Sequence, residues 1–339
     1  MTADDTRAER RNLWLLAACQ GLFLTNNVTF IAINGLVGLA LAPLGWMATL
    51  PVMGYVVGGA LSTGLVARTQ RQLGRKRSFQ AGLVVAVLSA LLCAYAAVGR
   101  DFWLLCLATV VAGYYNANAS LYRFAAAELC RQAAREKAVS LVMAGGLLGA
   151  VLGPNLAART RDLFPVPFAG AYLALAAVAL LAMLLLSFIT FAAPPAQQAT
   201  AAGRPLRQIM RQPVFIVAAL SGALGFGVMN LLMAATPIAM QLCSLPFSDA
   251  ALVLEWHVIG MFAPGFFTGA LIKRFGALPV MGAGILLYLG CIAVALSGVD
   301  LHQFLLALFL LGVGWNFLFT GSTTLSLTAY RPEEKDRAQ

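Results

Sequence analysis

Residues 140–158 read SLVMAGGLLGAVLGPNLAA, and the fold turns on this stretch. Gly145, Gly149 and Gly153 recur every four residues, so a helix carries them along one narrow face, and Pro154 follows directly. A glycine face removes the side-chain barrier to a second backbone, which is how helices associate inside lipid. The stretch holds no charge and no strand punctuation. It predicts a membrane helix built to pack closely or to pivot, with these three glycines and Pro154 as its hinge or packing residues.

The surrounding chain fits such a helix. Of 339 residues, 60% are hydrophobic and only 11% charged, against roughly 25% charged in soluble domains. Mean hydropathy is +0.83. A large soluble core does not account for this, because apolar runs repeatedly reach the roughly 20 residues that a bilayer-crossing helix needs. Ten spans are expected, at about 13–37, 45–67, 79–99, 102–126, 138–158, 168–191, 214–242, 249–272, 277–298 and 302–328. The fold class is therefore all-α, a polytopic membrane protein with the lipid bilayer as its solvent. Residues 1–191 form a first six-helix bundle, 192–213 a cytoplasmic linker and 214–339 an incomplete second bundle of four helices. In the linker, Arg204, Arg207 and Arg211 share a helical face, which suits a short interfacial helix.

The net charge of +10 is read by position. With a cytoplasmic N-terminus, nineteen basic residues fall on the cytoplasmic side and three, Arg100, Arg159 and Arg161, on the other. That bias is the positive-inside rule. The surplus marks topology, so it points to no nucleic-acid partner. The six cysteines are scattered without a CxxC pair, and no metal site or disulfide framework is expected.

An internal repeat is visible. CRQAAREKA at 130–138 recurs as YRPEEKDRA at 330–338, and RQLGRKR at 71–77 as IKRFGA at 272–277, an offset of 200 to 202 residues. Two halves of six helices follow, and the second stops at Gln339, where a partner of the glycine-striped helix is due. About two helices of the pattern are left unaccounted for. The asparagines sharpen the repeat. Seven of nine, namely Asn26, Asn27, Asn34, Asn116, Asn118, Asn230 and Asn316, lie in spans one, four, seven and ten. These are the first helices of successive three-helix units. Amides are costly against lipid, so equivalent helices carrying them should surround a polar centre. Any single Asn could equally be glue between helices.

With these features the chain resembles the major facilitator superfamily of secondary transporters, from residue 13 to the end. Gly149-Ala-Val-Leu-Gly153-Pro154 is similar to that family's fifth-helix signature GxxxGP, associated with antiporters, although Ala157 and Ala158 stand where the family has two glycines. Leu73-Gly74-Arg75-Lys76 resembles the signature between helices two and three, and Gly269-Ala-Leu-Ile-Lys273-Arg274-Phe-Gly276 its counterpart in the second half. Arg71 and Lys273 occupy the places of the family's aspartates. The resemblance therefore does not carry over the charge-relay latch that closes the cytoplasmic side in many members, and a plain topology anchor explains both loops equally. The resemblance implies a substrate cavity lined by helices one, four, seven and ten, and transport by alternating access.

The chemistry-bearing residues fit a transporter better than an enzyme. No nucleophile–base pair and no phosphate-cradling loop is present, and no cofactor is called for. Substrate contacts are expected from Asn26, Asn27, Tyr114, Tyr115, Asn116, Asn118, Asn230, Trp315 and Asn316, where flat rings stand beside amides. That pairing suits a planar or amphipathic organic solute. Glu255 lies inside a span, where a carboxylate costs about 2.5–3.5 kcal/mol on insertion scales, and burial favours a protonated carboxyl. Glu255 is therefore the proton-coupling candidate, with a hydrated interfacial position as the alternative. His257 is two residues further on, about 200° around the helix, so the two do not form one pair. His257 is a second proton-coupling candidate, although a packed, hydrogen-bonded histidine is the favoured reading for it. Arg123 is a charge partner for an anionic substrate or carboxylate, or else snorkels to the interface. The reading is a secondary transporter of a small organic solute in the cytoplasmic (inner) membrane, proton-coupled and leaning to efflux. Import of a planar metabolite such as a vitamin is the variant. The rival class is a truncated relic, or a binding or regulatory membrane protein, whose incomplete second bundle would pair with another chain.

Overall fold

The computed structural model of the protein describes residues 3–130, 135–191 and 204–330, and the regular elements among them are helices. In chain order these are α1 (Ala3–Leu41), α2 (Leu50–Val98), α3 (Phe102–Ala119), α4 (Tyr122–Glu128), α5 (Arg135–Thr160) and α6 (Ala169–Ser187). They are followed by α7 (Leu206–Met210), α8 (Pro213–Leu242), α9 (Phe247–Phe262), α10 (Gly265–Phe275), α11 (Ala277–Ser297) and α12 (Leu301–Leu327). A 3-10 turn, Gly45–Met47, separates α1 from α2.

Among the described residues, eight stretches are long and apolar enough to cross a membrane, or nine if α9 and α10, bent by 40° at their junction, count as one span. One of them is α2, whose 49 residues would reach about 74 Å at helical rise, against a hydrocarbon core of about 30 Å. Gly74 divides it, at φ 77 and ψ 168, a conformation open essentially to glycine alone. The nine spans thus become ten, matching the count expected from hydropathy. The same turn recurs 202 residues later, where Gly276 stands at φ 89 and ψ 163 between α10 and α11. The repeat read from the sequence therefore reappears as a repeated backbone conformation.

Two expected spans are broken. The stretch 102–126 divides at Ser120, which caps α3 and whose hydroxyl bonds back to the Asn116 carbonyl at 2.8 Å, a contact that competes with the helix ladder. Asn116 and Arg123 therefore sit on separate helices. The stretch 249–272 breaks between Phe262 and Gly265, where Pro264 lacks the amide that would continue the ladder. The expected interfacial helix near 204–211 is the single turn of α7. Residues 131–134, most of the 192–213 linker and the 331–338 repeat segment lie outside the described residues.

The chain falls into two compact units, Met1–Ala193 with Met233–Glu255, and Pro194–Leu232 with Trp256–Gln339. Residues 233–255, placed with the second half from sequence, group here with the first. In the first unit α1 packs against α5 and α6, and α2 against α3 and α6. The glycine stripe lies on α1. A Cβ at Gly149 would stand 2.6 Å from both the Leu24 Cβ and the Thr25 nitrogen, and one at Gly145 would meet the Ala17 carbonyl. Gly21 of α1 answers in kind, a Cβ there falling 2.8 Å from the Gly145 oxygen. The backbones come close enough for Thr29 Oγ1 to donate to the Gly153 carbonyl at 2.8 Å. Asp101 starts α3 by accepting the Leu104 amide at 2.9 Å, and Asp300 with Gln303 forms a capping box on α12. In the second unit α11 and α12 pair, and Tyr288 donates to the Gly225 carbonyl of α8 at 2.7 Å.

Candidate functional site

Three polar side chains meet within the first unit. Asn27 of α1 donates from Nδ2 to the Tyr55 hydroxyl at 3.0 Å and lies 3.4 Å from Asn116 Oδ1 of α3. Both asparagines are half-buried, so their remaining amide groups stay open to a solute. Tyr55 is buried, and its ring packs on Phe30 at 4.7 Å. The glycines around Tyr55 bring these helices together, since a Cβ at Gly58 would overlap the Val110 backbone of α3, and one at Gly59 would lie 3.2 Å from Asn116 Nδ2. Tyr115 is buried nearby, its ring edge-on to Phe23 at 5.6 Å and its hydroxyl without a hydrogen-bond partner among the described residues. Nothing in this trio is charged. It offers amide donors, amide acceptors and a phenol beside aromatic faces, the functions that read the edge of a neutral polar heterocycle.

The other expected substrate contacts are engaged elsewhere. Asn26 is buried and donates to the Leu175 carbonyl of α6 at 3.1 Å. Asn118 donates to the Ser78 carbonyl at 2.9 Å and accepts from Gln70 at 3.0 Å, while the Tyr114 hydroxyl meets Thr69 at 3.0 Å. These last contacts run toward the Gly74 turn. There Arg75 donates to Gln70 and, through two nitrogens, to the Glu128 carboxylate at 2.9 and 2.5 Å. The loop thus finds an acid on α4 despite Arg71. Lys76 donates to the Ser187 carbonyl at the end of α6, a favourable place for a cation. The guanidinium of Arg123, half-buried, lies 4.9 Å from the Phe124 ring centre.

Within the second unit, Asn230 donates to the Phe226 carbonyl of its own helix at 3.0 Å. Asn316 donates to the Met261 carbonyl at 2.7 Å and accepts from Thr268 at 2.6 Å, so it ties together the two sides of the α9–α10 break. Trp315 stacks on Phe319 at 4.8 Å with 13° between planes, and its indole nitrogen has no hydrogen-bond partner among the described residues. His257 is fully buried with Nδ1 2.8 Å from the Leu308 carbonyl. Lys273 and Arg274 are exposed, Arg274 lying over Phe275.

Glu255 is half-buried on α9 and accepts from Asn155 Nδ2 at 3.1 Å, within the first unit. Asn155 follows Pro154 and also bonds the Val151 carbonyl at 2.8 Å. Sequence reasoning passed over Asn155 and Tyr55. Asn155 was the more legible of the two, an amide set in an apolar run directly after the glycine–proline signature.

The helical spans, the repeated turn and the uncharged site describe a membrane carrier, and comparison with known families agrees. The family model described as Major Facilitator Superfamily matches residues 13–339, and the chain belongs to that family of transporters. Among relatives, the riboflavin transporter RfnT of Brucella anthropi is 37% identical over 99% of this chain and 85% of its own length. The uncharacterized MFS-type transporter YddS of Bacillus subtilis is 26% identical over 86% of this chain and 71% of its own. Among solved structures, a bacterial homologue of the human lysosomal transporter Spinster superposes with a TM-score of 0.75 at 15% identity. That match covers 98% of this chain and 78% of the other. The xylose transporter XylE of E. coli gives 0.65 at 16% identity, covering 93% and 83%. The structural likenesses show the fold alone.

Proposed function

We propose that this protein carries a planar, uncharged, amide-bearing heterocycle of the riboflavin class across the cytoplasmic membrane. The observation that carries the reading is the identity of 37% over nearly the whole chain to a riboflavin transporter. The chemistry of the first unit is consistent with it. An isoalloxazine ring presents an imide edge, acceptor–donor–acceptor, and a flat apolar body. The Asn27 and Asn116 amides can answer the edge, and Tyr55, Phe30 and Tyr115 supply rings beside it. Uptake of labelled riboflavin into cells lacking their own carrier tests this. Saturable flux that unlabelled riboflavin competes away is expected, and its sign in preloaded vesicles gives the direction. Protein inserted in the membrane but giving no flux above empty membranes would remove riboflavin as the solute and revive the non-transporting reading.

Coupling to protons is a second reading, favoured by the Asn155–Glu255 contact. A carboxyl that exchanges an amide partner for a proton could bias which state the carrier occupies. Glu255→Gln keeps the shape and the acceptor oxygen while removing the titration. Flux driven by an imposed pH gradient is expected to fall at least tenfold in this variant, with exchange of solute at equal pH retained. A pH-driven flux equal to that of the unaltered protein would exclude Glu255 from coupling.

A further inference from the structure

A second site is suggested at the end of the first unit opposite the Arg75 turn. A cavity of about 550 Å³ opens there, where α1 and α2 end and the α5–α6 and α8–α9 connections pass. Its walls are mostly apolar, from residues such as Leu36, Pro237, Phe168 and Phe247, yet Arg100 and Arg161 also line it. By the charge bias this is the side that carries three basic residues against nineteen, and two of the three converge on one cavity. Membrane insertion does not call for arginine on that side, so topology leaves these two unexplained.

We infer that this cavity binds an organic anion with a flat apolar body, an aromatic carboxylate or phosphate monoester, with Arg161 as the main cation and Arg100 as the second. The guanidinium of Arg161 stands 5.4 Å from the centre of the Phe168 ring and 5.7 Å from that of Phe247, and those rings meet edge to face at 5.3 Å. A guanidinium braced by two rings keeps its planar fork in a fixed plane, the arrangement that matches carboxylate and phosphate oxygens. Its Nε is buried without a hydrogen bond; Asp162 Oδ1, 3.5 Å away, is close enough to pair but not aligned to bond. Asp162 is largely exposed, and the nearby Asp101 is occupied in capping α3, so neither carboxylate fills the cavity. The backbone adds an independent sign. The non-glycine residues at positive φ among those described are Arg100 (54°), Phe168 (66°) and Ser244 (61°), and all three line this cavity. Such strain concentrates at ligand clamps.

The inference does not depend on which solute is carried, and its probes contain no flavin. Purified protein in nanodiscs is titrated with 2-naphthyl phosphate, 2-naphthoate and neutral 2-naphthol. Both anions should bind at least tenfold more tightly than naphthol, with affinity falling as salt rises. Binding of the phosphate alone would narrow the class to phosphate monoesters. Arg161→Gln should weaken anion binding at least tenfold, and Arg161→Lys should fall between. Arg100→Asn, which tolerates the left-handed backbone, should weaken it several-fold and decides the matter if the Arg161 variants do not fold. Naphthol binding as tightly as the anions, or anion affinity unmoved by Arg100→Asn and Arg161→Gln, overturns the site.

Discussion

Replacing Gly149 by valine should abolish solute flux and remove most of the folded protein from the membrane. Even Gly149→Ala should lower the melting temperature clearly. The cause is where the new carbon falls. A Cβ at Gly149 sits 2.6 Å from the Thr25 nitrogen and 2.8 Å from the Gly21 oxygen, both backbone atoms that cannot turn aside. The helices must separate, and the 2.8 Å bond from Thr29 to the Gly153 carbonyl is strained with them. Overpacking of this kind costs about 1–3 kcal/mol per site even in cores that can adjust. Gly146 is the internal control, because its added carbon would meet mainly Cδ1 at the tip of the Leu24 side chain, which can rotate away. Thermal unfolding in detergent should therefore rank Gly149→Ala well below Gly146→Ala. Equal melting temperatures would show that α5 does not depend on close approach to α1.

The contrast between those two glycines shows what the sequence could and could not carry. A four-residue glycine period implies a face that receives another backbone, and α1 receives it. The period does not name the partner, because a helix face is fixed by local spacing while its neighbour is chosen by the whole bundle. Gly74 and Gly276 were legible as loop positions, and their positive φ makes the repeat physical. The broken helices were less legible. Ser120 and Pro264 interrupt their helices through a back-bonding hydroxyl and a missing amide, features that hydropathy windows average away. The asparagines divide by the partners they take. Asn26, Asn118, Asn230 and Asn316 bond mostly backbone carbonyls, since amides in lipid must find partners. Asn27 and Asn116 differ because their partners are side chains and part of their surface stays open.

That difference leads to a prediction that tests the proposed contact with the solute. Asn27→Leu should raise the KM for the proposed flavin solute by about 10- to 200-fold, the cost of about 1–3 kcal/mol expected when a buried polar edge loses its partner. Melting should also fall somewhat, because the buried Tyr55 hydroxyl loses its partner, but the larger effect should be on KM. Asn116→Leu should act in the same direction. Tyr55→Phe keeps the ring on Phe30 at 4.7 Å and removes only the hydroxyl that Asn27 grips, so its loss should stay within about tenfold. Asn26→Leu, one residue away, should do the opposite. It breaks a buried bond that ties α1 to the Leu175 carbonyl of α6, so melting falls while the KM of the surviving protein is unchanged. Measuring KM and melting for both neighbours separates a contact with the solute from a contact that holds helices. If Asn27→Leu alters melting alone and Asn26→Leu alters KM, the solute is read from a different face of α1, and the amide–phenol trio belongs to the packing.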